Sequence, residues 1–181
     1  MAGAPALAGM AALRSGAGLV SVAVPQSIQS AVASFEPSYM TMGVGSSAGD
    51  CLLDANNSQI SAVAQEMTAV AIGPGLGREG STQALVVGLY QSLTMPLIVD
   101  ADALNALAEA KLTLGEARGS RILTPHPGEF QRLVGEAVED DTCRRADQAA
   151  ALCKVDSQGR TIVVLKGHQT IITDGNQYAV N

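Results

Sequence analysis

The chain predicts an open α/β fold on a mostly parallel sheet, and three observations carry that expectation. Four short runs of Val, Ile and Leu each break abruptly into Gly, Asp, His or Lys, segments of helical composition lie between them, and the end of the chain turns into short strands joined by Gly-containing turns. The four breaks are AVAI into Gly73-Pro74-Gly75-Leu76-Gly77, PLIV into Asp100-Ala101-Asp102, RIL into Thr124-Pro125-His126-Pro127-Gly128-Glu129, and TIVVL into Lys166-Gly167. Parallel strands place all four polar clusters on one sheet edge, where open α/β folds bind ligands.

Taken in order, Pro5 to Ser15 reads as a helix apolar nearly all round, ended by Gly16 and Gly18. Such a helix is covered on both sides, by the sheet and a neighbouring subunit, which makes a homo-oligomer the expectation. Leu19 to Val24 follows as a strand and Gln26 to Phe35 as a helix entered through Pro25; Pro37 to Gly45 is ambiguous. A helix near Ser58 to Gln65 precedes strand Ala69 to Ile72, and Ser81 or Thr82 caps a helix reaching Leu93. Leu97 to Asp100 is a strand, with Asp102 placed to cap a helix through Leu104 to Ala110. Arg121 to Leu123, a helix from Pro127 and a helix about Asp141 to Lys154 lead to the meander of Thr161 to Leu165, Thr170 to Thr173 and Tyr178 to Val180. No strand precedes the opening helix and no helix closes the last strand, so residues 1–181 read as a single, incomplete domain with an unpaired sheet edge.

With 47% hydrophobic residues in 181, the chain has enough apolar material for a real core. The apolar stretches, such as Ala4 to Leu13, fall short of a membrane span and no leader pattern is present, so a soluble cytoplasmic protein is expected. Cys51, Cys143 and Cys153 include no CxxC pair, which argues for reduced structural thiols. A net charge of -6, scattered cations and no Trp leave nothing to track or stack on nucleic acid.

Each cluster has a chemical reading and a bland one. The glycine turn lets backbone amides approach a phosphate, or is only a tight strand-to-helix connection. In an extended backbone the carboxylates of Asp100 and Asp102 point the same way; Asp100 is the better polar contact or indirect metal ligand. Pro127 at the first helical position makes His126 the cap, where the positive helix end favours a neutral, ligand-bonding imidazole. Glu129 falls at the capping-box position. Lys166 beside Gly167 suits a phosphate. With no Cys-His or Ser-His pairing in these clusters, phosphate handling is favoured over acyl transfer.

The runs GAPALAGMAALRSGAGLVSVAVP from Gly3, AIGPGLGR from Ala71, PLIVDADALNALA from Pro96, ILTPHPGEFQRL from Ile122 and VVLKGHQTIITDG from Val163 resemble the ADP- or ATP-dependent NAD(P)H-hydrate dehydratases across nearly the whole chain. The resemblance implies a ribokinase-like three-layer α/β/α fold with a mostly parallel sheet and a short C-terminal β meander. It implies a repair reaction in which a nucleotide phosphorylates the hydroxyl of hydrated NADH or NADPH (NADHX or NADPHX) and loss of phosphate restores the dihydronicotinamide. Ala4, Gly75, His126, Pro127, Gly128, Glu129, Phe130, Gln131 and Arg132 would contact the hydrate. Lys166, Gly167, His168, Gln169 and Thr170 would hold the nucleotide, with Mg²⁺ expected and ADP suggested as donor by the HPGE motif. The family's first strand and its Gly-rich GxGD segment, with the Asp regarded as catalytic base, do not occur within residues 1–181, so these residues alone are expected to have little activity. A small-molecule kinase of the same superfamily and a non-catalytic nucleotide-binding module are the alternatives.

Overall fold

Six of the strands form one sheet whose C-terminal edge carries all four clusters. A computed structural model describes residues 1–46, 48–112 and 114–181. The order is α1 (Gly3–Arg14), β1 (Ser21–Pro25), a 3-10 turn into α2 (Gln29–Ala33), β2 (Met40–Val44), α3 (Asn57–Ala64), β3 (Val70–Ile72), α4 (Gly80–Ser92), β4 (Leu97–Val99), α5 (Ala101–Glu109), β5 (Arg121–Leu123), α6 (Pro127–Val134), α7 (Thr142–Cys153), β6 (Thr161–Leu165), β7 (Ile171–Thr173) and β8 (Tyr178–Val180). The main sheet runs β3-β4-β5-β6-β7-β8, parallel through β6 and antiparallel after it. The ambiguous segment is strand β2, which pairs in parallel with β1 in a separate two-stranded sheet.

Register decides which residues build the core. Leu97, Val99, Leu123, Val163 and Leu165 alternate onto one face and are fully buried with Leu85, Leu89, Leu104, Leu107 and Ala149 from the helices. Each such leucine or valine contributes about 1.5–3 kcal/mol by leaving water. The alternate row Ala71, Ile98, Ile122 and Ile162 is apolar as well, also in register, but only partly buried or exposed. A smaller core joins Ala6, Val22, Val24, Val32 and Tyr39, where Gly9 lets α1 sit on β1: a Cβ there would stand 2.8 Å from Val22. The outer face of α1 is open, with Leu7 68% exposed. No described helix is long and apolar enough to cross a membrane.

Several boundaries move for identifiable reasons. The helix expected from Ser81 or Thr82 begins at Gly80, because the buried Thr82 hydroxyl donates to the Leu52 carbonyl at 2.7 Å and anchors a loop. The Gln26 to Phe35 helix divides into a 3-10 turn and the short α2.

Two buried polar groups hold the edge of the sheet away from the clusters. Arg121 is fully buried against the Tyr90 ring and donates to the carbonyls of Tyr90 (3.1 Å from Nε), Leu93 (2.6 Å), Met95 (3.3 Å) and Ser120 (2.9 Å). It thereby satisfies carbonyls that the end of α4 leaves unpaired. Asp156, 3% exposed, accepts from the N–H groups of Gln158 and Arg160 and from the Thr161 hydroxyl. Burial alone would raise its pKa, but those donors and the Arg160 charge outweigh it and hold the carboxyl below the ordinary range.

Arg121→Met is expected to destabilise the fold by about 3 kcal/mol or more, since each bond from a charged donor contributes about 1.5–3 kcal/mol, as read by urea denaturation. A depressed folded pKa stabilises above the unfolded value near about 4 and loses that contribution as pH falls through the folded value. Asp156→Asn is therefore expected to lower Tm at neutral pH and to flatten its decline on acidification below about pH 4, measured by thermal melts across pH.

Candidate functional site

The four clusters share one edge because β3, β4 and β5 end in register, Ile72 beside Val99 and Val99 beside Leu123, while β6 pairs Val163 with Leu123 and runs two residues further to Leu165. Gly73, at φ +128, follows β3 where its Cα lies against the chain after β4; a Cβ there would overlap the Asp100 carbonyl at 1.7 Å. Only glycine tolerates both the angle and the approach.

After β4 the backbone is not extended. Ala101 adopts φ +49, so the two aspartates diverge instead of pointing the same way. Asp102 is not the helix cap; α5 begins at Ala101, and the Asp102 carboxylate accepts from the Gly77 N–H at 2.9 Å. It pins the glycine turn to the start of α5. Asp100 instead accepts from the Lys166 ammonium at 2.7 Å. Burial would raise its pKa, but the Lys166 and Thr124 hydrogen bonds and the Lys166 charge overcome this and keep it lowered.

The TPHPGE turn builds its cap as the sequence predicts. His126 Nδ1 accepts from the N–H groups of Gly128 (3.0 Å) and Glu129 (3.4 Å), while Glu129 Oε2 accepts from the His126 N–H at 2.9 Å. Two acceptor bonds at Nδ1 place the ring proton on Nε2, on a side chain that is half exposed. Glu129 is 5% exposed, and one of its oxygens lies 4.0 Å from the Lys166 ammonium. His126 Nε2 in turn lies 3.4 Å from Glu129 Oε1, so both ring nitrogens meet the cap that the turn builds.

The KGHQT turn, joining β6 to β7, is fixed at several points. The Lys166 N–H donates to the Pro125 carbonyl at 2.8 Å, Thr170 to the Gly167 carbonyl, and Thr142 on α7 to the Gln169 side chain at 2.7 Å. Gln169 is held at φ +56, an angle unusual for a side-chain-bearing residue. Among the described residues, no protein group accepts from the N–H of Gly167, His168 or Gln169. Three consecutive free amides beside an ammonium are the kind of donor set that an anion-binding concavity uses.

The predicted hydrate-contacting residues separate into groups. Ala4 and Gly75 touch, since a Cβ on Gly75 would lie 2.8 Å from that of Ala4. Beside them is a cavity of about 190 Å³ lined by Pro5, Val24, Cys51, Gly75, Gly77 and Asp102 among others. That cavity ends at Asp102 and does not reach His126 or Lys166, and it is smaller than a typical small-molecule pocket. His126, Pro127, Gly128 and Glu129 form the turn beside Lys166. Phe130 is buried in the core at 1% exposure, and Arg132 donates to Asn105 at 2.7 Å, bridging α6 to α5. Chain connectivity through Gly77–Asp102, Asp100–Lys166 and Lys166–Glu129 links the two groups. The described residues hold no cluster of three or more His, Cys, Asp or Glu that would cage a metal ion. Sequence reasoning missed the roles of Thr124, Asp102 and Arg145, none of which lies in a motif that spells out its partner.

Comparison with known proteins bears on the fold and the family. A ribokinase-like superfamily protein from Enterococcus faecalis superposes with a TM-score of 0.76 at 22% identity, covering 99% of this chain and 58% of that one, a likeness of fold alone. The ADP/ATP-dependent NAD(P)H-hydrate dehydratase from Bacillus subtilis, co-crystallised with ATP/Mg²⁺ and soaked with CoA, superposes with a TM-score of 0.73 at 31% identity, covering 100% of this chain and 61% of that one. The bifunctional NAD(P)H-hydrate repair enzyme Nnr of Moorella thermoacetica is 40% identical over 181 residues, 98% of this chain and 33% of that protein. The chain thus spans about a third of the length of that curated relative. The family model described as NAD(P)H-hydrate dehydratase matches residues 1–181, and the chain belongs to that family.

Proposed function

We propose that the chain carries substrate-side and nucleotide-side determinants for the ADP- or ATP-dependent dehydration of NAD(P)H hydrate. In this reaction a phosphoryl group goes to the hydroxyl of the hydrated ring; the C–O bond then breaks, phosphate leaves, and loss of a proton from the adjacent carbon restores the dihydronicotinamide. The observation that carries the reading is the KGHQT turn, with three unused amides next to an ammonium. Lys166 spends one of its donors on Asp100 and keeps others for a phosphate oxygen.

On the substrate side, Ala4 packs where a Cβ of Gly75 would stand, beside the glycine-turn cavity, and the half-exposed His126 ring presents Nε2, 3.4 Å from Glu129 Oε1, to a ligand oxygen. Residues 127–129 hold that ring in place, so Pro127, Gly128 and Glu129 act by positioning. The carboxylates of Asp100 and Glu129 both face Lys166, and they do not make a cage for Mg²⁺; a magnesium ion would travel on the nucleotide phosphates. The open face of α1, with Leu7 exposed, and the exposed Leu19 in the connection to β1 favour a homo-oligomer.

Ligand binding to the folded state raises Tm, by the equivalent of about 2.7 kcal/mol at a hundredfold excess over Kd. Thermal melts are expected to show stabilisation by ADP or ATP, reduced in Lys166→Met, and by NADPH, reduced in His126→Asn. No shift with any adenine nucleotide or with NADPH would overturn the reading. A stable phosphorylated alcohol as product, in place of recovered dihydronicotinamide absorbance, would move it to a kinase.

His126→Ala is expected to cost about 1 kcal/mol through loss of the α6 cap, whereas asparagine, a good cap, restores stability. Urea melts of the two variants check this, and a full stability loss in both would show that Nδ1 capping is not what the ring contributes.

A further inference from the structure

Behind the KGHQT turn stands a buried cation that no carboxylate among the described residues pairs with. Arg145, near the start of α7, is 8% exposed, and its Nη1 donates to the His168 carbonyl at 2.7 Å. Its Nη2 lies against Gly167, where a Cβ would stand 3.0 Å away. Its Nε is buried with no hydrogen-bond partner. Among the described residues Arg145 forms no ion pair with any carboxylate. Arg160, the other arginine with an orphaned Nε, differs because Asp156 lies 3.7 Å from its guanidinium.

Position makes the charge more costly. Arg145 occupies the N-terminal part of a helix, where the backbone dipole is already positive, and the Asp141 carboxylate at that end is engaged with the Arg144 N–H. A desolvated guanidinium without a counter-ion is an expensive feature to maintain. The same helix end also binds the turn through Thr142 and Gln169, so the dipole, the guanidinium and the three free amides converge on one short segment.

We propose that Arg145 is a positioning residue for a phosphate-bearing ligand on residues 166–170, fixing the His168 carbonyl from behind while its charge is balanced by the ligand's phosphates. This rests on the reading of the KGHQT turn as the nucleotide site. Arg145 does not touch the ligand; it acts through Gly167 and His168. Its contribution therefore grows with the number of phosphates and is absent for the nucleoside.

Calorimetric titration of adenosine, AMP, ADP and inorganic pyrophosphate into the wild-type chain, Arg145→Met, Arg145→Lys and the exposed control Arg144→Met separates charge from scaffold. Arg145→Met is expected to weaken ADP and pyrophosphate by about tenfold, AMP by less and adenosine not at all. Lysine is expected to restore part of the loss, and Arg144→Met to cause none. Should the methionine variant fail to fold, Arg145→Gln keeps one donor for the His168 carbonyl and is expected to show the same graded loss. An equal loss for adenosine and ADP, or unchanged ADP binding in the variant, would overturn the proposal and leave the nucleotide site standing. Failure of the wild type to bind both ADP and pyrophosphate would instead remove the nucleotide reading, and this inference with it.

Discussion

One ammonium joins the loops that follow three different strands. Lys166 leaves β6, bonds Asp100 after β4 at 2.7 Å, lies 4.0 Å from Glu129 after β5, and gives its backbone N–H to Pro125. As an energy source this junction is modest, because its lysine side chain is 41% exposed and exposed pairs contribute at most about 1 kcal/mol. Its consequence is geometric. Register places the ends of β3, β4 and β5 at one level, with β6 two residues longer, and the ammonium at its end meets the polar residues beyond the others. The glycine turn joins through a second carboxylate, as Asp102 holds the Gly77 N–H. Without Lys166 the loops would share an edge but not a site.

The backbone around this point is held in conformations that chains do not adopt freely. Ala101 at φ +49 and Gln169 at φ +56 each carry a cost of order 1–3 kcal/mol. Both persist because their surroundings leave no alternative. Ala101 sits between Asp100, whose N–H bonds Ile72 and whose carbonyl meets Gly73, and the first turn of α5. Gln169 sits between Thr142, the Arg145-held His168 carbonyl and the hairpin closure of Thr170 with Asn181. The strained residues thus adjoin the Asp100–Lys166 pair and the KGHQT turn.

The most legible parts of the sequence were those where local chemistry decides the outcome. The β5-to-α6 turn is the clearest case, since Pro127 at N1, His126 as cap and Glu129 at N3 need only their own backbone to form. The strand runs were legible because a buried parallel strand requires continuous aliphatic residues. Illegible were roles set by partners far away in sequence. Asp102 looks like a helix cap until Gly77, 25 residues earlier, is brought beside it. Thr82 looks like a cap until Leu52 takes its hydroxyl. Arg121 and Arg145 carry no motif, because an arginine's carbonyl partners are backbone and leave no trace in residue identity. Strand β2 was ambiguous because Met40-Thr41-Met42-Gly43-Val44 lacks the β-branched density that marked the others.

The charge balance sharpens the division of the site. A chain with net charge -6 repels phosphates on average, yet screening at physiological salt confines that repulsion to about 8 Å. What a phosphate meets is therefore decided by its immediate neighbours. Around residues 166–170 these are an ammonium shared with the Asp100 and Glu129 carboxylates, a buried guanidinium, three free amides and the amino end of α7. Around the glycine turn they are the Asp102 and Asp50 carboxylates, with apolar Pro5, Val24 and Leu52. An anionic group is attracted to the first environment and repelled by the second, whereas an uncharged ring with a hydroxyl meets no such penalty beside Gly75. That asymmetry supports the proposed placement of phosphates on the KGHQT turn and of a neutral ring toward the glycine turn.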